Sequence, residues 1–313
     1  MSHAWRRACA ALLCLGSLLF GSAQAADYPP GVSIPGHKIV LNGVSYHVGD
    51  QGKGDRVVLL LHGMPDTSAV WRHQVKALVA AGYRVIVPDM LGYGETDKPQ
   101  DPARYSGEKI IADMVALLDA LKIDKVNLVG HDRGAFVSWE LVLNLPDRVR
   151  RHVALSVGHP DHFLDVRSVA EVKESWFMYL NSQADAAALY AANDGAFYKK
   201  VIIPSHPERD EVWSRMKNPT AMTGSLNWDR ANPMAGAYLQ AATRKAEARR
   251  AKVSTLGVWS GGDKYLWEAQ MKGTAPLMDA PWRYVRIKGA SHWMMLDAPQ
   301  ETTRLLLDWL GRK

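Results

Sequence analysis

Val126-Asn127-Leu128-Val129-Gly130-His131-Asp132-Arg133-Gly134-Ala135-Phe136 is the stretch on which the reading of this chain turns. Val126 to Val129 reads as a buried strand. From Ala135 to Leu145 the residues Phe136, Leu141, Val142 and Leu145 recur at helical spacing. The five residues between form the hinge, with glycines first and last, so the backbone can turn sharply and strand and helix can approach closely. The middle side chain, Asp132, is thereby lifted above the sheet edge. A serine there would need a base to remove its proton, whereas an aspartate is already ionised near neutral pH. A carboxylate attacking an acyl carbon would leave a reactive anhydride. Its suitable targets are therefore saturated carbons with a strained or stable leaving group, namely epoxides or carbon-halogen bonds. The bland alternative is a G-x-D-x-G loop with no chemistry, and the surroundings must decide.

Working outward, Asn42-Gly43 between Lys38 to Leu41 and Ser45 to Val48 marks a hairpin. Strands follow at Val57 to Leu61 and Arg84 to Val87, separated by an amphipathic segment carrying Val70, Trp71, Val75, Leu78 and Val79. Ile110 to Leu121 reads as a helix and Val153 to Val157 as a strand. The alternation predicts an α/β fold, a mostly parallel sheet with helices on both faces. It breaks at Gly158-His159-Pro160 and resumes with strands at Thr255 to Trp259 and Trp282 to Ile287 and a helix from Glu301 to Leu310. The expected organisation is a core of residues 26–160 and 251–313, interrupted by a helical cap over 161–250.

At 313 residues and 47% hydrophobic content the chain can bury a sizeable core. Arg6 and Arg7, the apolar run Ala8 to Phe20 and the small residues ending in Ala23-Gln24-Ala25 predict an export signal over residues 1–25, cleaved after Ala25. The mature protein would be periplasmic or secreted, by the general secretory route, with no stable membrane anchor. A retained anchor is the alternative, but the run is short for a bilayer. Both cysteines, Cys9 and Cys14, lie inside the signal, so disulfides and cysteine metal sites are not expected in the mature chain. The formal charge of +6 falls to +4 without Arg6 and Arg7. The positive residues are scattered, which argues against a nucleic-acid partner. The densest cluster, Arg244 to Lys252 with Lys245, Arg249 and Arg250, reads as a solvated helix face. The expected partner is a small-molecule substrate, with no metal or organic cofactor; composition leaves the oligomeric state open.

Three further loops sit at the predicted carboxyl edge of the sheet, where ligands bind in open α/β sheets. His292, in Gly289-Ala290-Ser291-His292-Trp293, is the base candidate. Asp263, in Ser260-Gly261-Gly262-Asp263, could hold its imidazole in one tautomer as the third member of a triad does. Asp161, after the strand ending at Val157, is the rival acid. The turn His62-Gly63-Met64-Pro65 can aim backbone N–H groups at a developing oxyanion, with Met64 and Arg133 as the candidate donors. Together with Asp89-Met90-Leu91-Gly92-Tyr93-Gly94, these motifs resemble the α/β-hydrolase superfamily, in the branch of epoxide hydrolases and haloalkane or haloacid dehalogenases. The resemblance covers nearly all of residues 36 to 312.

That resemblance implies an α/β-hydrolase fold with an inserted helical cap, and it frames the departures. Haloalkane dehalogenases usually place Trp after the nucleophile and Asn in the HGNP-type turn, where this chain has Arg133 and Met64. His131-Asp132-Arg133-Gly134 is similar to fluoroacetate dehalogenases and many epoxide hydrolases, yet Phe136 stands where the haloacid enzymes add a second arginine. Epoxide hydrolases of the branch carry two cap tyrosines that donate to the epoxide oxygen. Here the corresponding strings read Ser175-Trp176-Phe177-Met178 and Asn227-Trp228-Asp229-Arg230-Ala231. Phe177 has no donor. Asp229 could donate only when protonated, which needs a raised pKa; the alternative is that it pairs with Arg230 or another cation and shapes the cap. Tyr179, Tyr190, Tyr198 and Trp176 are other donors nearby. Trp176, Phe177, Trp228 and Asp229 are the candidate pocket residues. The expected activity is epoxide hydrolysis through an ester on Asp132. A dehalogenase with Trp176, Trp228 or Arg133 near the halide is the second reading, followed by an ester or lactone hydrolase and a non-catalytic ligand-binding or signalling protein.

Overall fold

The computed structural model describes residues 28–164, 173, 175–244 and 246–312. The predicted signal lies outside the described residues, as does Lys245. One eight-stranded sheet runs in the order β1-β2-β4-β3-β5-β6-β7-β8. β1 (Gly36–Leu41) and β2 (Val44–Gln51) form the antiparallel hairpin. Asn42 and Gly43 take φ +47° and +82° between them, as a tight primed turn requires. β2 pairs antiparallel with β4 (Arg84–Pro88), and from β4 onward every pairing is parallel.

β3 (Val57–Leu61) is buried at all five residues, because a parallel strand flanked by helices has no solvent face. β5 (Val126–His131) is likewise buried throughout. Each of its large apolar side chains, Val126, Leu128 and Val129, contributes about 1.5–3 kcal/mol by leaving water. β5 runs two residues past the predicted strand. The helix α3 (Arg133–Asn144) begins two residues before the predicted start, so the hinge is Asp132 alone. β6 (Val149–Leu155) starts four residues earlier than expected and stops before Ser156, because its parallel register is set by Val126 opposite Val149 and His131 opposite Leu155. The segment expected between β3 and β4 divides into a 3-10 turn (Ser68–Trp71) and α1 (Arg72–Ala80).

Between β6 and β7 (Thr255–Gly262) the described residues form helices at Trp176–Asn181, Ala186–Phe197, Arg209–Met216, Pro219–Ala231 and Met234–Thr243. The second is broken at Ala192 to Gly195. Cap and core are joined by the Arg72–Glu208 ion pair, by Trp228 Nε1 donating to Leu91 O (2.8 Å) and by Tyr93 Oη with Ser225 Oγ (2.9 Å).

The cluster after Thr243 is exposed, as expected, but it is not helical. The chain leaves helix at Arg244, and the described arginines make ion pairs within the molecule. Arg244 and Arg249 pair with Asp161, Arg249 also with Glu140, and Arg250 with Asp279. Carboxylates from α3, from the chain after β6 and from the chain before the last strand therefore pair with these arginines, which helical spacing alone could not reveal.

Candidate active site

Asp132 sits between β5 and α3 with φ +53° and ψ −123°, a conformation that costs a non-glycine residue about 1–3 kcal/mol. Surrounding contacts impose it. Asp132 O accepts from Ala135 N (2.9 Å) and Phe136 N (3.1 Å), and a Cβ on Gly134 would lie 2.2 Å from Leu61 O. Gly63 is equally constrained, since a Cβ there would come within 2.2 Å of Asp132 Oδ1. This close approach lets Met64 N donate to Asp132 Oδ1 at 2.8 Å. The turn carrying Met64 is fixed by His62, whose Nε2 accepts from Met90 N (2.9 Å) while its Nδ1–H donates to Gly63 O (2.9 Å). Arg133 opens α3, so its N–H is one of the helix-start donors with no partner inside the helix, where negative charge is favoured.

His292 follows β8 (Trp282–Ser291) and brings Nε2 to 3.6 Å from Asp132 Oδ2, a charge contact longer than a hydrogen bond. Its Nδ1 lies 2.8 Å from Asp263 Oδ2. Asp263 is itself oriented, with Oδ1 accepting from Tyr265 N (2.9 Å) and Leu266 N (3.1 Å). Beneath the histidine, His131 Nε2–H donates to His292 O at 3.0 Å, and burial first, then the neighbouring His292, depress His131 to about 4, so it stays neutral. Trp293 anchors the same loop by donating Nε1–H to Asp66 Oδ2 (2.9 Å), and Asp66 also pairs with His206 from the cap at 3.1 Å.

The electrostatics follow from this packing. Burial would depress the His292 imidazole, but the Asp263 and Asp132 carboxylates override it and push it up to about 10. Burial would raise the Asp132 carboxyl, but the His292 proton and the Arg133 guanidinium hold it well below the usual carboxylate range. At neutral pH the resting site is thus a carboxylate facing an imidazolium. A narrow cavity opens onto it, lined by Met64, Phe177, Ile202, Ile203 and Tyr265 beside Asp132 and His292. Larger depressions beside Ser33 and Arg215 and between α1 and the C-terminal helix (Pro299–Leu310) include neither member of the pair.

The structure brings Asp132, His292, Asp263, Met64 and Arg133 together and separates the rival acid from them. Asp161 is held by Arg249 N (2.7 Å), the Arg249 guanidinium and Arg244. Of the four cap candidates, Phe177 lines the cavity. Trp176 is 41% exposed and packs edge-on against Phe177. Trp228 is buried over Leu91 with the Arg133 guanidinium 5.6 Å from its ring centre. Asp229 does not take the donor's place. Its Oδ2 accepts from Arg133 Nη2 (2.6 Å) and Asn181 Nδ2 (2.7 Å), so the cation it pairs with is Arg133 rather than Arg230. Burial raises its pKa and the guanidinium opposes that rise. Tyr190 is committed as well, donating to Asn181 Oδ1 at 2.6 Å. Sequence reasoning missed Ile202, Ile203 and Tyr265; the last stands two residues after Asp263 in the same loop, and that proximity was the available signal.

A parallel sheet with a strained carboxylate turn, a histidine after the last strand and an acid after the preceding one defines a hydrolase of the α/β class, and residues 56–299 match the α/β hydrolase fold family. The chain is 30% identical to epoxide hydrolase 2 of Siraitia grosvenorii, over 88% of this chain and 97% of that protein. It is 28% identical to epoxide hydrolase A of Mycobacterium tuberculosis, over 86% and 95%. The crystal structure of an epoxide hydrolase from Vigna radiata superposes with a TM-score of 0.76 at 28% identity, over 89% of this chain and 98% of that one. The protein belongs to the α/β-hydrolase superfamily, in its epoxide hydrolase branch.

Proposed function

We propose that the protein opens epoxides through an alkyl ester on Asp132, which His292 and water then hydrolyse. The observation that carries this reading is the ionised Asp132 carboxylate, fixed by Met64 N at 2.8 Å and faced by His292 Nε2 at 3.6 Å. Asp132 attacks a ring carbon, and its charge disappears into the ester. His292 then loses one of the two carboxylates that hold its proton, gives that proton up towards the leaving oxygen and becomes the neutral base that activates water. Charge developing on the ester carbonyl is met by the N–H groups of Met64 and Arg133.

The occupied donors support this reading over dehalogenation. Trp228 Nε1 is spent on Leu91 O, and the Arg133 guanidinium on Tyr93 Oη, Ser225 O and Asp229. An internal carboxylate already fills the position in which Arg133 would grip a haloacid.

Separating the two acids tests the assignment of Asp263. Asp263→Asn is expected to lower turnover of an epoxide on the order of 10³- to 10⁴-fold, since it removes the group that fixes the imidazole tautomer. Asp161→Asn, assayed well below its melting temperature, should stay within about threefold of wild type. Equal losses in the two variants would contradict the assignment.

We infer further that the protein is exported, from the positive start, the apolar run and the small-residue site before Ala26. Protein recovered outside the inner membrane should begin at Ala26 on N-terminal sequencing. A membrane-bound form retaining Cys9 and Cys14 would overturn this.

A further inference from the structure

Ring opening leaves a basic alkoxide that needs a proton, and neither residue aligned with the family's two donors is placed to supply it: Phe177 has none to give, and Asp229, whose Oδ2 accepts from Arg133 and Asn181, is not among the described residues that line the cavity. The cavity lining narrows the choice. Among the described residues that line the cavity, the side chains other than Asp132 and His292 are hydrocarbon or thioether except Trp293 and Tyr265, and the Trp293 N–H is committed to Asp66. The Tyr265 hydroxyl is buried beside the Ser205 hydroxyl. The Tyr265 ring lies edge-on to His292, centroids 5.1 Å apart, and edge-on to Phe177 at 5.7 Å.

We propose that Tyr265 is the proton donor to the oxygen that leaves when the epoxide opens, a role that rests on the aspartyl-ester reading above. Asp132 forms a C–O bond to the ring carbon, the ring C–O bond breaks towards oxygen, and that oxygen takes the Tyr265 proton. The phenolate is refilled from the adjacent His292 imidazolium, which leaves His292 neutral. Neutral His292 then takes a proton from water as the water oxygen attacks the ester carbonyl. Collapse of the tetrahedral species expels the diol alkoxide, which takes the remaining proton from the regenerated Asp132 carboxyl group. Epoxide and water have become diol, and Asp132, His292 and Tyr265 are in their starting states. Burial, together with the Asp263 and Asp132 charges, raises the phenol pKa, so the hydroxyl is protonated at rest.

The test is the single-turnover rate of ester formation on Asp132, followed by rapid quench and mass spectrometry with styrene oxide or another aryl epoxide that wild type turns over. Tyr265→Phe should slow ester formation on the order of 10²-fold or more. The variant should fold as wild type does, because Phe keeps the ring and its edge-on contacts with His292 and Phe177. Tyr198→Phe, which removes a buried hydroxyl outside the cavity lining, should leave the rate unchanged. Should Tyr265→Phe fold poorly, 3,5-difluorotyrosine at position 265 keeps ring and hydroxyl while making the hydroxyl more acidic, and it should change the ring-opening rate. An unchanged rate in that protein, ester formation in Tyr265→Phe within about threefold of wild type, or the loss falling on Tyr198→Phe instead would each overturn the role of Tyr265 while leaving Asp132 as nucleophile. Turnover by wild type without any ester on Asp132, even with His292 replaced, would remove the mechanism beneath it.

Discussion

Asp132→Asn is expected to fold as wild type does and to lose epoxide turnover by on the order of 10⁴-fold or more, the scale on which removal of a nucleophile acts. The substitution is nearly isosteric, which matters where Gly63 leaves no room for a larger group. The amide oxygen can still accept from Met64 N, so the strained turn keeps its contact. What disappears is the negative charge that attacks. The same change removes one of the two carboxylates that push His292 up to about 10, so an NMR titration of the imidazole should show its pKa falling, with the Asp263 partner at 2.8 Å still in place. Activity within about threefold of wild type, after mass spectrometry has excluded deamidation back to Asp, would reject Asp132 as the nucleophile.

The residues that were legible in the sequence are those whose role is dictated by local backbone geometry. Gly130 and Gly134 around Asp132, Asn42-Gly43 in the hairpin and the apolar run of β3 each have few alternatives, and they placed the sheet, the hinge and the loops carrying His292 and Asp263. The choice of Asp263 over Asp161 was harder. Both follow strands, and they are separated only by three-dimensional pairing, since Asp161 is drawn off by Arg249 and Arg244. The cap resisted for the same reason. Asp229 is matched with Arg133, 96 positions away, and helical spacing carries no trace of a partner so distant. The ion pairs of the cluster after Thr243 were hidden because its acidic partners come from other elements. Tyr265 comes to the cavity lining from a core loop, two residues after Asp263, whereas the sequence pattern pointed to the cap for a donor.

Replacing His292 divides the reaction. Asp132 attacks as an ionised carboxylate and needs no base, so the first step survives the loss of the imidazole; hydrolysis of the ester requires a base for water and does not survive. His292→Gln should therefore turn over once and stall, with steady-state activity lost and substrate left on the protein. The stalled species should persist for far longer than a wild-type turnover, because Met64 N–H and Arg133 N–H still polarise the ester but no group beside it accepts a proton from water. Intact-protein mass spectrometry of His292→Gln mixed with an epoxide that wild type turns over, followed by peptide mapping, measures this directly. The account predicts an added mass equal to the whole epoxide, located on Asp132. An inactive variant with no adduct, or an adduct on any other residue, would contradict it.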